Sequence, residues 1–254
     1  MKLLRDTWLI FQRHMRLMLR TPIWIFLGVT QPIVYLVLFA PMLKPALASL
    51  GTGSMADAYR IYVPGMLVAL AIAGGLYVGF GLLAELRAGI VERARVTPVS
   101  RVALLLGRAL RDVVSLLVQG AIITVLSIPF GLFVRIQYLL LAFLLLALIT
   151  LLTSAVSYGI ALRIGNEGAL GQVINNVAQP LMLLSGCLLP IALAPGWLQG
   201  IAAWNPLGWA VDGMRALFAG HVANDAVWQS TVIIAVLTVI ALSWTARMFA
   251  RGNR

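Results

Sequence analysis

The chain has 254 residues, of which 61% are hydrophobic and 11% are charged, whereas a soluble domain has about 25% charged residues. A soluble domain of this length needs a polar shell that this composition cannot supply, so a soluble enzyme, a disordered chain and a secreted disulfide scaffold are excluded. The net charge of +11 leaves two interpretations open, a nucleic-acid-binding protein or a membrane protein whose basic residues lie on one side.

The first element in chain order is an amphipathic segment within residues 1–22. Its apolar side chains recur with helical spacing, and its arginines fall on the other faces. The pattern predicts a helix that lies in the cytoplasmic membrane interface, either as an anchor alone or as an anchor that also contacts a cytoplasmic partner. The apolar stripe consists of Leu4, Trp8, Phe11, Met15 and Leu19.

Six apolar runs follow, each about 20 residues long, which is the length that a helix needs to cross about 30 Å of hydrocarbon. Transmembrane barrels are instead built from short alternating segments, so the runs predict an all-α integral membrane protein with one six-helix domain over residues 23–254. The runs are 23–43, 61–84, 113–134, 138–162, 173–193 and 227–246.

The distribution of basic residues predicts the orientation of these helices. If the N-terminus is inside, fifteen of the 19 Lys and Arg residues lie in cytoplasmic segments and four lie in outer segments. The positive-inside rule therefore predicts that both termini are cytoplasmic. The charge is then a topology signal, and we expect no nucleic-acid partner.

The inner segment 85–112 is the longest charged stretch. Residues 85–96 have helical composition, Thr97-Pro98 predicts the end of that helix, and Ser100 can cap the next helix, which runs into the third span. The segment is either a solvated loop or a docking element for a soluble protein, and its ordered charges of both signs favour docking.

The outer segment 194–226 is too apolar for an aqueous loop but is broken by Pro and Gly. Its tryptophans suit the membrane interface, so it predicts a helical hairpin that dips into the outer leaflet. Asn205 can cap a helix with Pro206 at its first position. Asp212 and Arg215 could pair on one face of that helix.

Several kinds of chemistry have no support in the sequence. There is no phosphate-binding P-loop motif, and the topology places His14 and His221 on opposite sides of the membrane. No Asp or Glu lies in the middle of a predicted span, as an ion-coupled transporter usually requires. Cys187, the single cysteine, is interpreted as a packing residue of the fifth span. We therefore expect no catalytic site, metal or cofactor in this chain, which leaves a transporter without its own energy source, or a channel.

Polar side chains occur within the first and fifth runs, where an amide is costly unless it is hydrogen-bonded. They either join neighbouring helices or line a wet cavity. In the second run, Gly75 and Gly79 indicate close helix packing. The polar residues are Gln31, Asn175, Asn176, Gln179 and Ser185.

In this order, the features resemble the permease subunit of ABC-2-type ABC exporters, in particular the daunorubicin-resistance-like drug permeases. The resemblance covers nearly the whole chain and rests on the N-terminal helix, the six runs, the inner segment and the outer Asn205-Pro206 hairpin. It implies the type V ABC exporter fold, with a re-entrant outer hairpin between the fifth and sixth spans. The inner pattern consists of Glu85, Gly89, Glu92, Arg93, Thr97, Pro98, Ser100, Arg101, Gly107, Arg108 and Asp112.

The resemblance also implies partners and a location. Two copies of a separate ABC ATPase subunit would bind ATP and Mg, and a second copy of the chain or a paralogous permease would complete the complex in the cytoplasmic membrane of a prokaryote. The segment 85–101 looks like the coupling helix that docks on the ATPase, and the N-terminal helix looks like the connecting helix. The implied coupling residues are Glu85, Arg87, Gly89, Glu92, Arg93, Arg95, Thr97, Pro98, Ser100 and Arg101.

By the same resemblance, spans one, two and five line the translocation route, and the outer hairpin closes it. The implied route residues are Gln31, Tyr35, Phe39, Tyr77, Phe80, Asn175, Asn176, Gln179, Met182 and Ser185. The implied outer gate residues are Trp204, Asn205, Pro206, Asp212 and Arg215.

The expected function is that of a permease, not an enzyme, which exports a hydrophobic or amphipathic molecule such as a drug or lipid by alternating access. One alternative is a permease for lipid-linked polysaccharides or glycolipids. A nucleotide-independent channel or secondary transporter, and a membrane scaffold without transport activity, are further alternatives.

Overall fold

Helices make up most of the chain, and no strand occurs within residues 2–20, 23–48, 54–90, 100–188 and 190–251, which are the residues that the computed structural model describes. The all-α prediction is therefore confirmed. Short 3-10 turns follow α4 and precede α7. The helices are α1 (Lys2–Arg20), α2 (Ile23–Ala48), α3 (Met55–Arg87), α4 (Arg101–Ser127), α5 (Ile136–Ile164), α6 (Glu167–Leu184), α7 (Gly196–Ala202), α8 (Pro206–Phe218) and α9 (Asp225–Arg251).

Four helical segments are long and apolar enough to cross a membrane, and they lie in α3, α4, α5 and α9. They correspond to the second, third, fourth and sixth predicted runs. The first run falls in α2, where a shorter apolar helix covers Gly28–Leu38 of the described residues. The four segments are Ala58–Arg87, Val102–Phe130, Ile136–Ile164 and Asp225–Phe249.

Two helix boundaries differ from the predicted runs. α4 begins at Arg101, directly after the predicted cap Ser100, so the helix that was expected to run into the third span includes residues 101–112, ahead of the predicted run 113–134. α6 ends at Leu184, although the predicted run continues to residue 193. Gly186 has a φ of 69°, a left-handed conformation that ends helices and that glycine adopts without strain. Because the sequence stays apolar beyond this glycine, hydropathy alone does not reveal the end of the helix.

The packed centre of the molecule is built on α5, which lies against α3 and α9. α2 and α6 both pack against α3, and α8 packs against α9, α3 and α5. α1 lies across α4, where a Cβ added to Gly107 would stand 2.6 Å from Cγ2 of Ile10. The absence of a side chain at Gly107 therefore lets the N-terminal helix approach α4 closely.

The α3–α5 contact combines glycines on one helix with hydroxyl groups on the other. A Cβ at Gly75 would lie 1.9 Å from Oγ1 of Thr153. The same Oγ1 lies 2.9 Å from the carbonyl oxygen of Ala71, and the Gly79 N–H donates to Oγ of Ser157 at 3.0 Å. The predicted packing role of Gly75 and Gly79 is confirmed, and hydrogen bonds between the two helices accompany the close approach.

Replacing Gly75 by alanine is expected to lower the free energy of unfolding by about 1–3 kcal/mol, because the added methyl group has to displace the Thr153 side chain from a packed contact. Thermal or SDS-induced unfolding of the purified protein in one detergent measures the effect. Gly81→Ala is the matched control on the same helix, since nothing lies within 4 Å of its Cβ position. Equal stability of the two variants would contradict this account of the interface.

Candidate functional site

Six polar and ionisable side chains meet where α1, the end of α3, α4 and α5 come together, and we call them the charge cluster. One contact within it joins α3 to α4: the Arg108 guanidinium donates a hydrogen bond to Oε2 of Glu85. The side chains of these two residues are only 5% and 25% exposed. The members of the cluster are His14, Glu85, Arg108, Arg111, Asp112 and Tyr158.

The second half of the charge cluster joins α4 to α5. The hydroxyl of Tyr158 donates to the carboxylate of Asp112, and Nη2 of Arg111 lies 2.9 Å from the other carboxylate oxygen. No Asp or Glu was expected in the middle of a span, and Asp112, which directly precedes the predicted third run, is buried inside the helix that starts at Arg101. Its charge is balanced by the neighbouring guanidinium, as a buried carboxylate requires.

His14 of α1 completes the charge cluster, with its Nδ1 3.8 Å from Oε1 of Glu85. Burial, reinforced by the positive charges of Arg108 and Arg111, lowers the pKa of His14 to about 3. The imidazole is therefore neutral at neutral pH, and its contact with Glu85 is not an ion pair. No group of three or more potential metal ligands occurs among the residues that the structure describes.

The helix that was expected over residues 85–96 does not begin at Glu85. α3 ends at Arg87, and Gly89 turns the chain with a φ of 66°. Glu85 therefore belongs to α3, and Arg87 forms an exposed ion pair with Glu167 of α6 at 3.1 Å. The cap at Ser100 is confirmed, since its Oγ accepts from the Ala103 N–H at 3.1 Å. Outside the described residues lie Glu92, Arg93, Arg95, Thr97, Pro98 and the side chain of Arg101.

Exposed polar side chains occur on α2, α3 and α6, and we call this set of residues the route face. Tyr77 is 47% exposed, and its hydroxyl donates to Oδ1 of Asn175 at 2.9 Å, which joins α3 to α6. On α2, the amide of Gln31 lies 3.4 Å from the Tyr35 hydroxyl. The exposed members are Gln31, Tyr77, Asn175, Asn176 and Gln179.

The other implied route residues have different surroundings. Phe80 is half-buried and stacks on Tyr77 with a centroid distance of 6.0 Å, and Tyr35 and Met182 are also half-buried. Ser185 does not join the route face. It is buried in the turn after α6, where its hydroxyl donates to the Met182 carbonyl at 2.7 Å. The side chain of Phe39 lies outside the described residues.

The outer segment contains two helices, α7 and α8, separated by residues 203–205. The predicted cap of α8 is confirmed: Oδ1 of Asn205 accepts from the Leu207 N–H at 3.0 Å, and Pro206 is the first helical residue. The Asn205 amide also donates to the Leu181 carbonyl at 3.1 Å, which ties α8 to the end of α6. Trp204 beside it is 87% exposed.

Arg215 holds α8 against two other parts of the fold. Its Nε donates to the carbonyl oxygen of Ile61 in α3 at 3.2 Å, and its Nη2 donates to that of Gly186 at 2.7 Å. The predicted partner, Asp212, is 3.9 Å away and its side chain is 65% exposed. The predicted pair is therefore present but peripheral, and the main role of Arg215 is to bind carbonyl groups of α3 and of the turn after α6.

Several members of the charge cluster were not among the predicted site residues. Arg108 and Asp112 were included only in the inner pattern that supports the family resemblance, and no site role was assigned to them. An ionisable side chain within an apolar helix is nevertheless itself a functional signal. That signal was hidden because the third span was expected to begin after Asp112. Tyr158 gave no signal, since a tyrosine in an apolar run is ordinary.

Comparison with known proteins identifies the family of the chain. Residues 5–219 match the family described as ABC-2 type transporter. The putative transport permease ycf38 of Cyanophora paradoxa is 30% identical over 207 residues, which cover 79% of this chain and 69% of that protein.

Two bacterial relatives have names that refer to drug resistance. The daunorubicin resistance ABC transporter permease protein DrrB1 of Streptomyces coeruleorubidus is 26% identical over 235 residues, which cover 89% of this chain and 79% of that protein. The probable doxorubicin resistance ABC transporter permease protein DrrC of Mycobacterium tuberculosis is 26% identical over 232 residues, which cover 86% and 82%. With a family match over most of its length and four apolar helices able to span a membrane, the chain belongs to the ABC-2 type transporter family of permease subunits.

Proposed function

We propose that the chain is the membrane-spanning permease of an ATP-driven exporter that moves a hydrophobic or amphipathic molecule out of the cytoplasm or the inner leaflet. Two copies of a separate ATPase subunit supply the free energy. The proposed topology has six spans with both termini inside, in the cytoplasmic membrane of a prokaryote. The observation that carries the proposal, together with family membership, is the buried Glu85–Arg108 pair, which joins the two helices on either side of the charged segment 88–99.

The charge cluster gives a physical route from that segment to the membrane helices. A displacement of segment 88–99 moves α3 and α4 together, because the Glu85–Arg108 pair joins these two helices. The displacement is passed on to α5 through the hydrogen bond between Tyr158 and Asp112. α1 lies against α4, and the exposed Trp8 of α1 suits an anchor in the membrane interface. ATP then drives alternating access by binding more tightly to one of two conformations of the complex.

The route face supports pairing with a second permease. Asn175, Asn176 and Gln179 are exposed on α6, beside Val177 and Leu183, which are 45% and 68% exposed. The Asn175 oxygen accepts from Tyr77, but an amide group that faces lipid without a hydrogen-bond partner costs several kcal/mol. We therefore infer that a second copy of this chain, or a paralogous permease, covers this face and encloses a hydrated path between the two.

The proposed substrate class follows from the same surface. The route face combines aromatic rings with a few amides and has no charged member, a lining that suits an apolar molecule with a few polar groups. The names of two relatives refer to daunorubicin and doxorubicin resistance, which supports a drug-like substrate.

Transport by the reconstituted complex of permease and ATPase tests the proposal. Glu92→Ala combined with Arg93→Ala is expected to lower ATP-dependent transport by about tenfold, while ATP hydrolysis continues. A tenfold change corresponds to a loss of about 1.4 kcal/mol in the binding free energy between the permease and the ATPase. Arg247→Ala is the control, because this exposed basic residue lies near the end of α9 and is not part of the charged segment.

Two outcomes would overturn the proposal. Undiminished transport by the double variant would remove the coupling assignment. Transport by the purified chain without any ATPase, driven by a membrane potential or a pH gradient, would identify a channel or a secondary transporter instead.

A further inference from the structure

A cavity of about 340 Å³ lies at the opposite end of α5 from the charge cluster. It is formed by the start of α3, the connection between α4 and α5, and the turn after α8. Two arginines and a histidine line it together with aromatic side chains. Its lining includes Arg60, Phe133, Arg135, Tyr138, Phe218 and His221.

Local packing brings the two arginines to one cavity. Tyr59, next to Arg60 in α3, stacks on Phe130 with a centroid distance of 5.0 Å, which fixes the start of α3 against the end of the α4 segment. Arg135 is the N-cap residue of α5, five positions after Phe130. On the far wall, Gly220 turns the chain with a φ of 85°, and its Cβ position lies 3.2 Å from the Tyr138 ring.

The basic lining of this cavity is unusual for its location. Only four Lys and Arg residues lie in the segments assigned to the outer side, and two of them, Arg60 and Arg135, converge here. Both are exposed, and neither forms an ion pair with a carboxylate of the described part of the chain. The positive-inside rule gives no reason for basic residues at this place, so topology does not explain them.

The surroundings of the cavity are those of a membrane interface. Phe133 is 71% exposed at its rim, and Ile136 and Leu140 on the first turns of α5 are 69% and 65% exposed. In the proposed topology these apolar side chains face acyl chains at the start of a span, and the guanidinium groups lie near the headgroups. Guanidinium groups bind phosphate oxygens with two parallel hydrogen bonds, which makes arginine well suited to such a ligand.

We propose that this cavity binds the phosphate of an anionic phospholipid from the outer leaflet, with Arg60 and Arg135 as its ligands and Phe133 against the acyl chains. The assignment to the outer leaflet rests on the proposed topology, whereas lipid binding does not depend on transport. A bound lipid would hold the start of α3, the N-terminus of α5 and the turn after α8 together, and these parts lie beside the outer hairpin.

Lipid retention by the full-length chain, measured by native mass spectrometry, tests the proposal without using transport or ATP hydrolysis. The probes are phosphatidylglycerol, phosphatidylcholine and millimolar inorganic phosphate. The wild type is expected to retain phosphatidylglycerol roughly tenfold better than phosphatidylcholine, given the attraction of two arginines to an anionic headgroup. Arg60→Gln with Arg135→Gln is expected to lose that preference.

Arg163→Gln is the matched control, because Arg163 is an exposed arginine near the other end of the same helix, α5. It is expected to keep the preference. If the double glutamine variant does not fold, the single variants Arg60→Gln and Arg135→Gln replace it, and each is expected to lose part of the preference, whereas unchanged selectivity in both would contradict the proposal.

Three results would overturn the proposal. The first is equal retention of the two lipids by the wild type. The second is unchanged selectivity in the double glutamine variant. The third is occupancy by inorganic phosphate that excludes phosphatidylglycerol, which would identify a soluble anion as the ligand. Because these measurements use neither transport nor ATP hydrolysis, they test lipid binding even if the exporter proposal fails.

Discussion

Replacing Glu85 by alanine is expected to lower the free energy of unfolding by about 3 kcal/mol, since the buried Arg108 guanidinium loses its hydrogen-bonded counter-charge and keeps only the Asp112 carboxylate, which it shares with Arg111. In Glu85→Ala, the Arg108 guanidinium is only 5% exposed and keeps no nearby counter-charge from α3. His14 cannot replace the lost partner, because its ring is neutral at neutral pH. Thermal or SDS-induced unfolding in a single detergent measures the loss.

The exposed pair Arg87–Glu167 provides the matched control. It also joins α3 to another helix, at 3.1 Å, but its side chains are 56% and 40% exposed. An exposed ion pair is screened by solvent, so Arg87→Ala is expected to cost about 0–1 kcal/mol. A loss in Arg87→Ala as large as that in Glu85→Ala would contradict the role assigned to burial.

A double variant separates the pair from its individual residues. Glu85→Met with Arg108→Met removes both charges and is expected to be more stable than either single methionine variant, as is often found for buried ion pairs replaced by apolar residues. If the charge cluster transmits motion, the complex with this double variant still hydrolyses ATP but transports poorly. Full transport by a stable double variant would assign the pair to folding alone.

Replacing Arg215 by methionine is expected to lower stability by about 3 kcal/mol and to make the outer side leaky. Hydrogen bonds from a charged donor contribute about 1.5–3 kcal/mol each, and this variant leaves the carbonyl groups of Ile61 and Gly186 without their donor. Those bonds fix α8 to α3 and to the turn after α6. We therefore expect ATP-independent leakage of substrate from loaded liposomes to rise, together with the loss of stability.

Asp212→Asn is the control for this prediction. The Asp212 carboxylate is 3.9 Å from the guanidinium and mostly exposed, so its neutralisation is expected to change stability by no more than about 0.5 kcal/mol. Arg215→Lys can donate to only part of the same carbonyl set and should fall between methionine and wild type. A tight, stable methionine variant would show that α8 is held by its apolar contacts alone.

Local features of this protein followed from the sequence. The apolar runs predicted the four long helices in α3, α4, α5 and α9, because helix formation in an apolar medium depends on length and composition. Ser100 and Asn205 were predicted as caps, since a cap is a contact between residues two or three positions apart. Gly75 and Gly79 were predicted at a helix contact because a small residue at every fourth position leaves a groove on one face.

The sequence by itself therefore determined the four long apolar helices and the caps at Ser100 and Asn205. Only the tertiary structure decided which side chains meet. Glu85 and Arg108 are 23 positions apart, Asp112 and Tyr158 are 46 apart, and Arg215 and Ile61 are 154 apart. A helix such as α5 is apolar on every face, so its hydrophobic pattern does not indicate which face turns toward which neighbour. That choice depends on small residues, hydroxyl groups and buried charges fitting together across helices, which is a property of the packed fold.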